Sequence, residues 1–261
     1  MAKFCSLYSS SSGNCTYIGT SRGGILVDIG VSAKRAEEAL ISIGVEPSSI
    51  GGIFITHEHS DHIKGVKVFA SRHNIKVYAT GGTLEGMDEA GVFNSGVDAY
   101  IIPGQGTECA GIYVRPFKTS HDSYESCGYA AVTPDGKRIS VATDTGIITD
   151  EIRENLTGSD LVLLESNHDI NMLKMGSYPY FLKDRILSDK GHLSNDACAD
   201  FAKELLESGT SRFVLGHLSK ENNIPSLAYA TTGEAFARSG AKEGTDYLLT
   251  VAGDLNKPIN I

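Results

Sequence analysis

No apolar run in this chain approaches the ~20 residues that a helix needs to cross a bilayer, which excludes a protein built on membrane-spanning helices. Cysteine is sparse and unpaired in pattern. Cys5, Cys15, Cys109, Cys127 and Cys198 are odd in number, scattered, and never stand as CxxC. That excludes a disulfide framework, and with no secretory signal at Met1-Ala2-Lys3 the expected state is reduced thiols in the cytoplasm. Positive charge is also short: 23 Lys and Arg face 32 Asp and Glu, a net charge of -9. A generally basic nucleic-acid-binding surface is therefore excluded, while a local basic groove is not. No short-period repeat and no linker interrupts the 261 residues, and the only low-complexity tract is a serine loop. With 41% hydrophobic and 21% charged residues, the composition fits an ordinary globular domain, expected as one unit over 1–261.

What the chain does have is concentrated in Thr56-His57-Glu58-His59-Ser60-Asp61-His62. The preceding run, Gly51-Gly52-Ile53-Phe54-Ile55, reads as a short buried strand; the following one, Ile63 to His73, fits a helix imperfectly. The cluster thus falls where a strand ends and a helix begins. Imidazole nitrogens and carboxylate oxygens are the donors that a borderline metal such as Zn²⁺ selects. His57 and His59, two apart in an extended segment, point the same way. Asp61 and His62 follow as the chain turns and reach a second point, so the spacing supports two metals.

Three further donors follow apolar strands. His121 comes after Ile112 to Phe117, Asp144 lies in Val141-Ala142-Thr143-Asp144, and His217 ends Phe213-Val214-Leu215-Gly216-His217. Their repeated position predicts convergence on one sheet edge. Asp122 and Glu58 are expected beside the donors rather than among them, and Cys127, though close to a predicted ligand, is expected as an ordinary reduced thiol. The loop Tyr8 to Asn14, with Ser12 and Asn14, offers hydroxyl and N–H groups suited to a site that meets phosphate; a flexible turn is the other reading.

The chain otherwise alternates strands and helices. Strands are expected at Phe4–Leu7, Cys15–Ile18, Ile25–Val27, Ile75–Ala79, Tyr100–Ile102, Tyr129–Val132, Arg138–Ala142, Asp160–Leu164 and Tyr247–Val251. Ser32 is expected to cap a helix to about Ile43 with Gly44 as its stop, and Ser194 one over Asn195–Glu207; a third is expected over Ser226–Arg238. Alternation alone allows either two packed mixed sheets or a doubly wound sheet.

The pattern HxHxDH, followed in order by His121, Asp144 and His217, resembles the metallo-β-lactamase superfamily. That resemblance implies a four-layer αβ/βα sandwich of two mixed sheets flanked by helices. It also implies a ligand assignment: His57, His59 and His121 on one metal, Asp61, His62 and His217 on the other, and Asp144 bridging. Either Zn²⁺ or Mn²⁺, and also Fe²⁺, suits such donors. Glu165 at a strand end, then Gly191-His192-Leu193-Ser194, then His217, is similar to the order in the tRNA 3′-processing endonuclease RNase Z. By that likeness His192 contacts the scissile phosphate or acts as general acid, oriented by Glu165 and Asp61.

Narrower still, Gly13-Asn14-Cys15-Thr16, Glu165-Ser166-Asn167-His168-Asp169 and the run from Gly176-Ser177-Tyr178-Pro179-Tyr180 to Gly191-His192-Leu193-Ser194-Asn195 resemble the YycJ/WalJ family. The likeness implies a bacterial cytoplasmic metal-dependent DNase acting 5′ to 3′ on double-stranded DNA through a metal-bound hydroxide. Members often accompany a cell-wall two-component regulatory system. There is no long insertion for a tRNA-grasping arm and no second domain of the RNase J type. Lys183 and Arg185, near His192, are candidate contacts to the DNA backbone. The alternatives are a phosphodiesterase for small molecules such as cyclic nucleotides, which the acidic charge favours, and a non-catalytic partner of a regulatory system, against which the complete ligand set argues. Oligomeric state is left open.

Overall fold

Short β-branched runs separated by glycine and polar turns make strands, and the longer amphipathic stretches between them make helices. The computed structural model describes residues 1–93 and 96–261. Among these the strands are β1 (Lys3–Tyr8), β2 (Cys15–Thr20), β3 (Gly23–Val27), β4 (Ile50–Phe54), β5 (Lys76–Ala79), β6 (Ala99–Ile101), β7 (Thr107–Cys109), β8 (Ile112–Lys118), β9 (Cys127–Val132), β10 (Arg138–Ala142), β11 (Leu161–Glu165), β12 (Arg212–Gly216), β13 (Leu248–Val251) and β14 (Ile259–Asn260). They form two seven-stranded sheets, of order β14-β1-β2-β3-β4-β5-β6 and β13-β12-β11-β10-β9-β8-β7. The chain packs as two compact units, Met1–Pro116 with Ser123–Lys137 and Gly253–Ile261, and Phe117–Asp122 with Arg138–Ala252.

In the first unit, β14, β1, β2 and β3 pair antiparallel, and β3 to β6 run parallel. Leu7, Leu26, Ile53, Leu40 and Phe69 meet in its core. The helix Ala33–Ser42 buries Ala36, Ala39 and Leu40, and the Ser32 side chain accepts from the Arg35 N–H as expected. Gly44 follows it with φ +74. The helical stretch after the histidines is not continuous: Ser60–Ile63 and Val66–His73 are separate helices. Gly65 explains the break. Its N–H donates to the Ile29 carbonyl at 2.8 Å, and an added Cβ would stand 2.3 Å from the Val31 oxygen, so the backbone is pressed against the segment after β3.

In the second unit β10 to β13 are parallel. Parallel strands covered on both faces are apolar throughout, which is why Leu161–Leu164 and Phe213–Leu215 read as unbroken hydrophobic runs. The helix Asn195–Glu207 has the expected bounds, with the Ser194 hydroxyl accepting from the Ala197 N–H. Pro225–Arg238 starts one residue before the expected Ser226. Three short helices not read from the sequence, Asp150–Leu156, Ile170–Met175 and Tyr180–Leu187, complete this unit's helical set among the described residues. In both units most of the chemistry-bearing side chains lie at or just beyond the C-terminal ends of strands, where side chains from successive crossovers collect; His192, between the helices Tyr180–Leu187 and Asn195–Glu207, is the exception.

Candidate metal centre

The first donor group is local in sequence. Asp28, one residue past β3, adopts φ +61 and aims its buried carboxylate at the loop after β4. Oδ1 accepts from the Thr56 N–H at 2.8 Å, and Oδ2 accepts from the Thr56 hydroxyl at 2.9 Å and from His62 Nδ1 at 2.8 Å. Because the Thr56 proton goes to Asp28, Thr56 Oγ1 is the acceptor for His57 Nδ1 at 3.1 Å. Both imidazoles are thereby held in the tautomer whose lone pair sits on Nε2, the arrangement that orients metal-binding histidines. The His57 and His59 rings lie 4.5 Å apart, His57 and His62 4.1 Å, and Asp61 Oδ2 is 3.5 Å from His62 Nε2. The cluster is a ready set of N and O donors.

Backbone packing holds this loop in place. The Asp61 carbonyl accepts from the Asn14 N–H at 2.9 Å, and the Asn14 carbonyl accepts from the Gly30 N–H at 2.7 Å. Only glycine fits at 30, since a Cβ there would lie 1.5 Å from the Asp61 oxygen. Asn14 is buried, and its side-chain nitrogen stands 3.1 Å from His62 Nε2 and donates to the Ser10 carbonyl. The structure therefore gives Asn14 an employment different from the expected substrate contact: it braces the ligand loop. Ser12 is exposed, with its hydroxyl 3.0 Å from that of Ser10.

The second donor group is assembled from four separate loops, and a single carboxylate organises it. Glu165 ends β11 and is wholly buried. Its Oε1 is 2.8 Å from His192 Nδ1 and 2.8 Å from His217 Nδ1, while Oε2 accepts from the Thr145 N–H at 2.9 Å and the Leu193 N–H at 3.3 Å. Burial pushes the Glu165 carboxyl up. The His192 and His217 imidazoles and their hydrogen bonds outweigh that and hold it well below the usual carboxylate range. An ionised acceptor facing two Nδ1 atoms leaves both lone pairs on Nε2. His121 reaches the same tautomer by donating Nδ1–H to the Gly191 carbonyl at 3.1 Å, and burial lowers its pKa, which keeps the ring neutral.

Asp144, at φ +58, places Oδ1 3.5 Å from His217 Nε2 and 3.8 Å from His121 Nε2. His217 itself adopts φ +55, and Asn167 donates to its carbonyl at 2.9 Å. Donor atoms of Asp144, Glu165, His192 and His217 all lie within 4.8 Å of one another. With its oxygens already committed to four donors, Glu165 is an orienting group. His192 is the open member: its side chain is 14% exposed, against 1% for His217 and 0% for Glu165. That difference suits it to meet a substrate.

The two basic candidates are engaged within this unit. Lys183 Nζ donates to the Lys174 and Gly176 carbonyls at 2.8 and 2.7 Å and ties the two short helices together. Arg185 forks onto Asp122, through Nε and, at 2.8 Å, through Nη2. Asp122 also stands 3.4 Å from His121 Nε2, and Glu58 accepts from the Tyr124 N–H at 2.9 Å, so both carboxylates sit beside the donors as expected. Cys127 is a core thiol: burial pushes its pKa up to about 12. Asp28 is the functional residue that sequence reasoning missed. A signal was present, because Asp28 follows an apolar strand as Asp144 does.

Residues 24–218 match the model of the Beta-lactamase superfamily domain. Exodeoxyribonuclease WalJ of Streptococcus pneumoniae serotype 2 (strain D39 / NCTC 7466) is 38% identical over 248 residues, 94% of this chain and 92% of that protein. Exodeoxyribonuclease YycJ of Bacillus anthracis is 36% identical over 239 residues, 91% of this chain and 90% of that protein. The Zn²⁺-bound PqqB from Methylobacterium extorquens shares the fold, with a TM-score of 0.72 at 15% identity over 99% of this chain and 100% of that one. Two mixed sheets flanked by helices bear out the αβ/βα class, and fold and donor chemistry together imply divalent metal. With matches of this extent and similarity, the chain belongs to the WalJ/YycJ family of the metallo-β-lactamase superfamily.

Proposed function

We propose that the protein is a dinuclear metal-dependent exodeoxyribonuclease acting 5′ to 3′ on double-stranded DNA. The observation that carries the reading is Glu165, whose one oxygen stands 2.8 Å from both a ligand histidine, His217, and a more open histidine, His192. This pairing suits a phosphodiester cleaver, in which an imidazole outside the ligand set must be positioned against the leaving group. The exonuclease names of the relatives, each matched over most of its length, support DNA as substrate. We take 1–261 as one functional domain whose two donor groups complete a single centre.

In this reading His57, His59 and His121 would hold one metal and Asp61, His62 and His217 the other, with Asp144 available to both. Zn²⁺ and Mn²⁺ both suit these donors, and Fe²⁺ is a further candidate. Bound there, a metal pair supplies charge neutralisation for the phosphate and a nucleophile at neutral pH. The chain's own residues do the rest. Asp28 and Glu165 fix imidazole tautomers before substrate arrives, so no reorganisation is needed in the reaction. His192, its Nδ1 on Glu165, presents Nε2 to the leaving oxygen and, when protonated, donates to it. Asp122 holds Arg185 beside His121, where the guanidinium meets backbone phosphate. Five buried free thiols fit a cytoplasmic setting.

The net charge of -9 favours a second reading, hydrolysis of small phosphodiesters. Metal-reconstituted protein, with His59→Ala as control, separates the two on end-labelled linear duplex DNA, bis-p-nitrophenyl phosphate and a 2′,3′-cyclic nucleotide. Stepwise shortening from the 5′ end, lost in the variant, is expected. Turnover of the small esters alone overturns the exonuclease reading.

A further inference from the structure

We infer that Asn223 is a positioning residue for this centre: its buried side-chain amide clamps together the three segments that carry Glu165, His192 and His217. The inference deepens the reading above and rests on it. Those segments are separate stretches of chain. Glu165 ends β11, His192 precedes the helix Asn195–Glu207, and His217 follows β12. One Glu165 oxygen nevertheless stands 2.8 Å from both Nδ1 atoms. Hydrogen bonds of that length tolerate only small errors in the relative placement of their partners, so something must set the register of the three loops.

Asn223 stands where it can do so. It is buried, and it closes the loop that His217 opens, just before the helix Pro225–Arg238. Its Nδ2 donates to the Ser166 carbonyl at 2.9 Å and to the Asn167 carbonyl at 3.0 Å, the two residues after Glu165. Two carbonyls at one end of the amide fix that end as the nitrogen. Oδ1 is then the acceptor, for the Ile224 N–H at 2.9 Å and for Asn195 Nδ2 at 3.0 Å. Asn195 is buried at the start of its helix, close after His192, and its own oxygen accepts from the Ser166 hydroxyl at 2.7 Å. Ser166, Asn195 and Asn223 thus close a ring in which each segment is bonded to the other two.

The clamp continues to the ligand itself. Asn167, whose carbonyl Asn223 holds, donates from its own amide to the His217 carbonyl at 2.9 Å. His217 adopts φ +55, a conformation that persists only where the surroundings over-determine it. On the other side the Asn167 N–H donates to the Leu193 carbonyl at 2.9 Å, next to His192. Apolar side chains would fill this space at a lower desolvation cost, but their contacts are non-directional and leave the loops able to slide. Directional bonds from a planar amide do not. Asn223 therefore acts through Glu165 rather than on the reacting atoms.

The test is a double-mutant cycle on the full chain: wild type, Asn223→Ser, Glu165→Gln and the pair, with Ser159→Ala as control. Ser159 is buried in the same unit and its hydroxyl lies 2.8 Å from that of Ser140, so its loss costs stability away from the donors. Asn223→Ser leaves room for a water to satisfy the two carbonyls, which keeps the fold and loses the rigid amide. The readouts are Zn²⁺ affinity of metal-free protein, kcat and KM on bis-p-nitrophenyl phosphate after reconstitution, and thermal midpoint. Asn223→Ser is expected to weaken Zn²⁺ binding and lower kcat by about tenfold each with KM unchanged, and Ser159→Ala to change neither. In the Glu165→Gln background the same substitution should cost less than about threefold, since partners in one network are not additive. Equal losses in both backgrounds overturn the clamp. So does a lowered midpoint with metal affinity and kcat intact, or a comparable loss in Ser159→Ala. Should Asn223→Ser not fold, Asn195→Ala carries the same comparison. If wild type turns over neither ester nor DNA, the exonuclease reading has failed separately and the cycle on Zn²⁺ affinity decides: non-additivity with Glu165 upholds the clamp, and additivity overturns it.

Discussion

The two donor groups solve one problem in opposite ways. In the first unit the donors come from a six-residue stretch, His57 to His62, and the orienting carboxylate, Asp28, serves one imidazole directly and a second through the Thr56 hydroxyl. In the second unit the donors come from loops as far apart in sequence as His121 and His217, and Glu165 serves two imidazoles through one oxygen. A local cluster is half-organised by its own chain connectivity. A dispersed one needs a single buried anion to set the relative position of parts that share no backbone. Glu165 should therefore matter more than Asp28, and the damage it does should be of a different kind.

Chelation is the coarsest break: removing metal should abolish phosphodiester turnover while the far-ultraviolet circular dichroism stays, and full turnover in a metal-free preparation would refute both groups at once. If His192 is the proton donor proposed above, His192→Ala should then lower kcat by roughly 10²–10⁴-fold with metal content unchanged. Loss of metal in that variant would make His192 a ligand. Asp28→Asn and Glu165→Gln sharpen the contrast. Loss of an orienting partner typically costs about 10–100-fold in metal affinity or activity. Asp28→Asn should show this chiefly in metal affinity, whereas Glu165→Gln should show it in metal affinity and kcat together; equal effects in both assays would erase the distinction. Gly30→Ala should destabilise the first unit by about 2–4 kcal/mol, as a Cβ is driven into the Asp61 carbonyl, and an unchanged thermal midpoint would remove that contact from the account.

The smallest effect concerns pH. His168, beside the Glu165 group, is buried, and burial lowers its pKa to about 4. The unfolded chain takes up the proton first, so in metal-free protein stability should fall as pH drops from about 6.5 towards 4. His168→Gln should flatten that fall. An equally steep fall in the variant would assign the acid sensitivity elsewhere.

Much of this architecture was legible beforehand, and the pattern of what was not follows the same contrast. Ser194 and the apolar face through Phe201 and Leu205 mark a helix because cap and periodicity agree over thirteen residues. Tyr180–Leu187 gave no such signal: its aromatic residues point to water, so the periodicity that identifies a buried face is missing. His57 to His62 declares itself because its spacing is local. Asp28 did not, since one Asp at a strand end, two residues before Gly30, looks like any turn residue. The backbone held a further clue invisible to residue type. Asp28, Asp144 and His217 all adopt positive φ, where non-glycine residues are strained and cluster at functional sites. The bracing contacts of Asn14 have no signature in residue type, because only the packed structure shows it buried against the His62 loop.

The most direct test is metal content per chain. Metal-reconstituted wild type should carry two ions by mass spectrometry, and His57→Ala and His217→Ala, one in each donor group, should each lower that ratio and abolish DNA shortening. A wild-type ratio of one that His217→Ala leaves intact, with turnover undiminished, would contradict a centre completed by both groups.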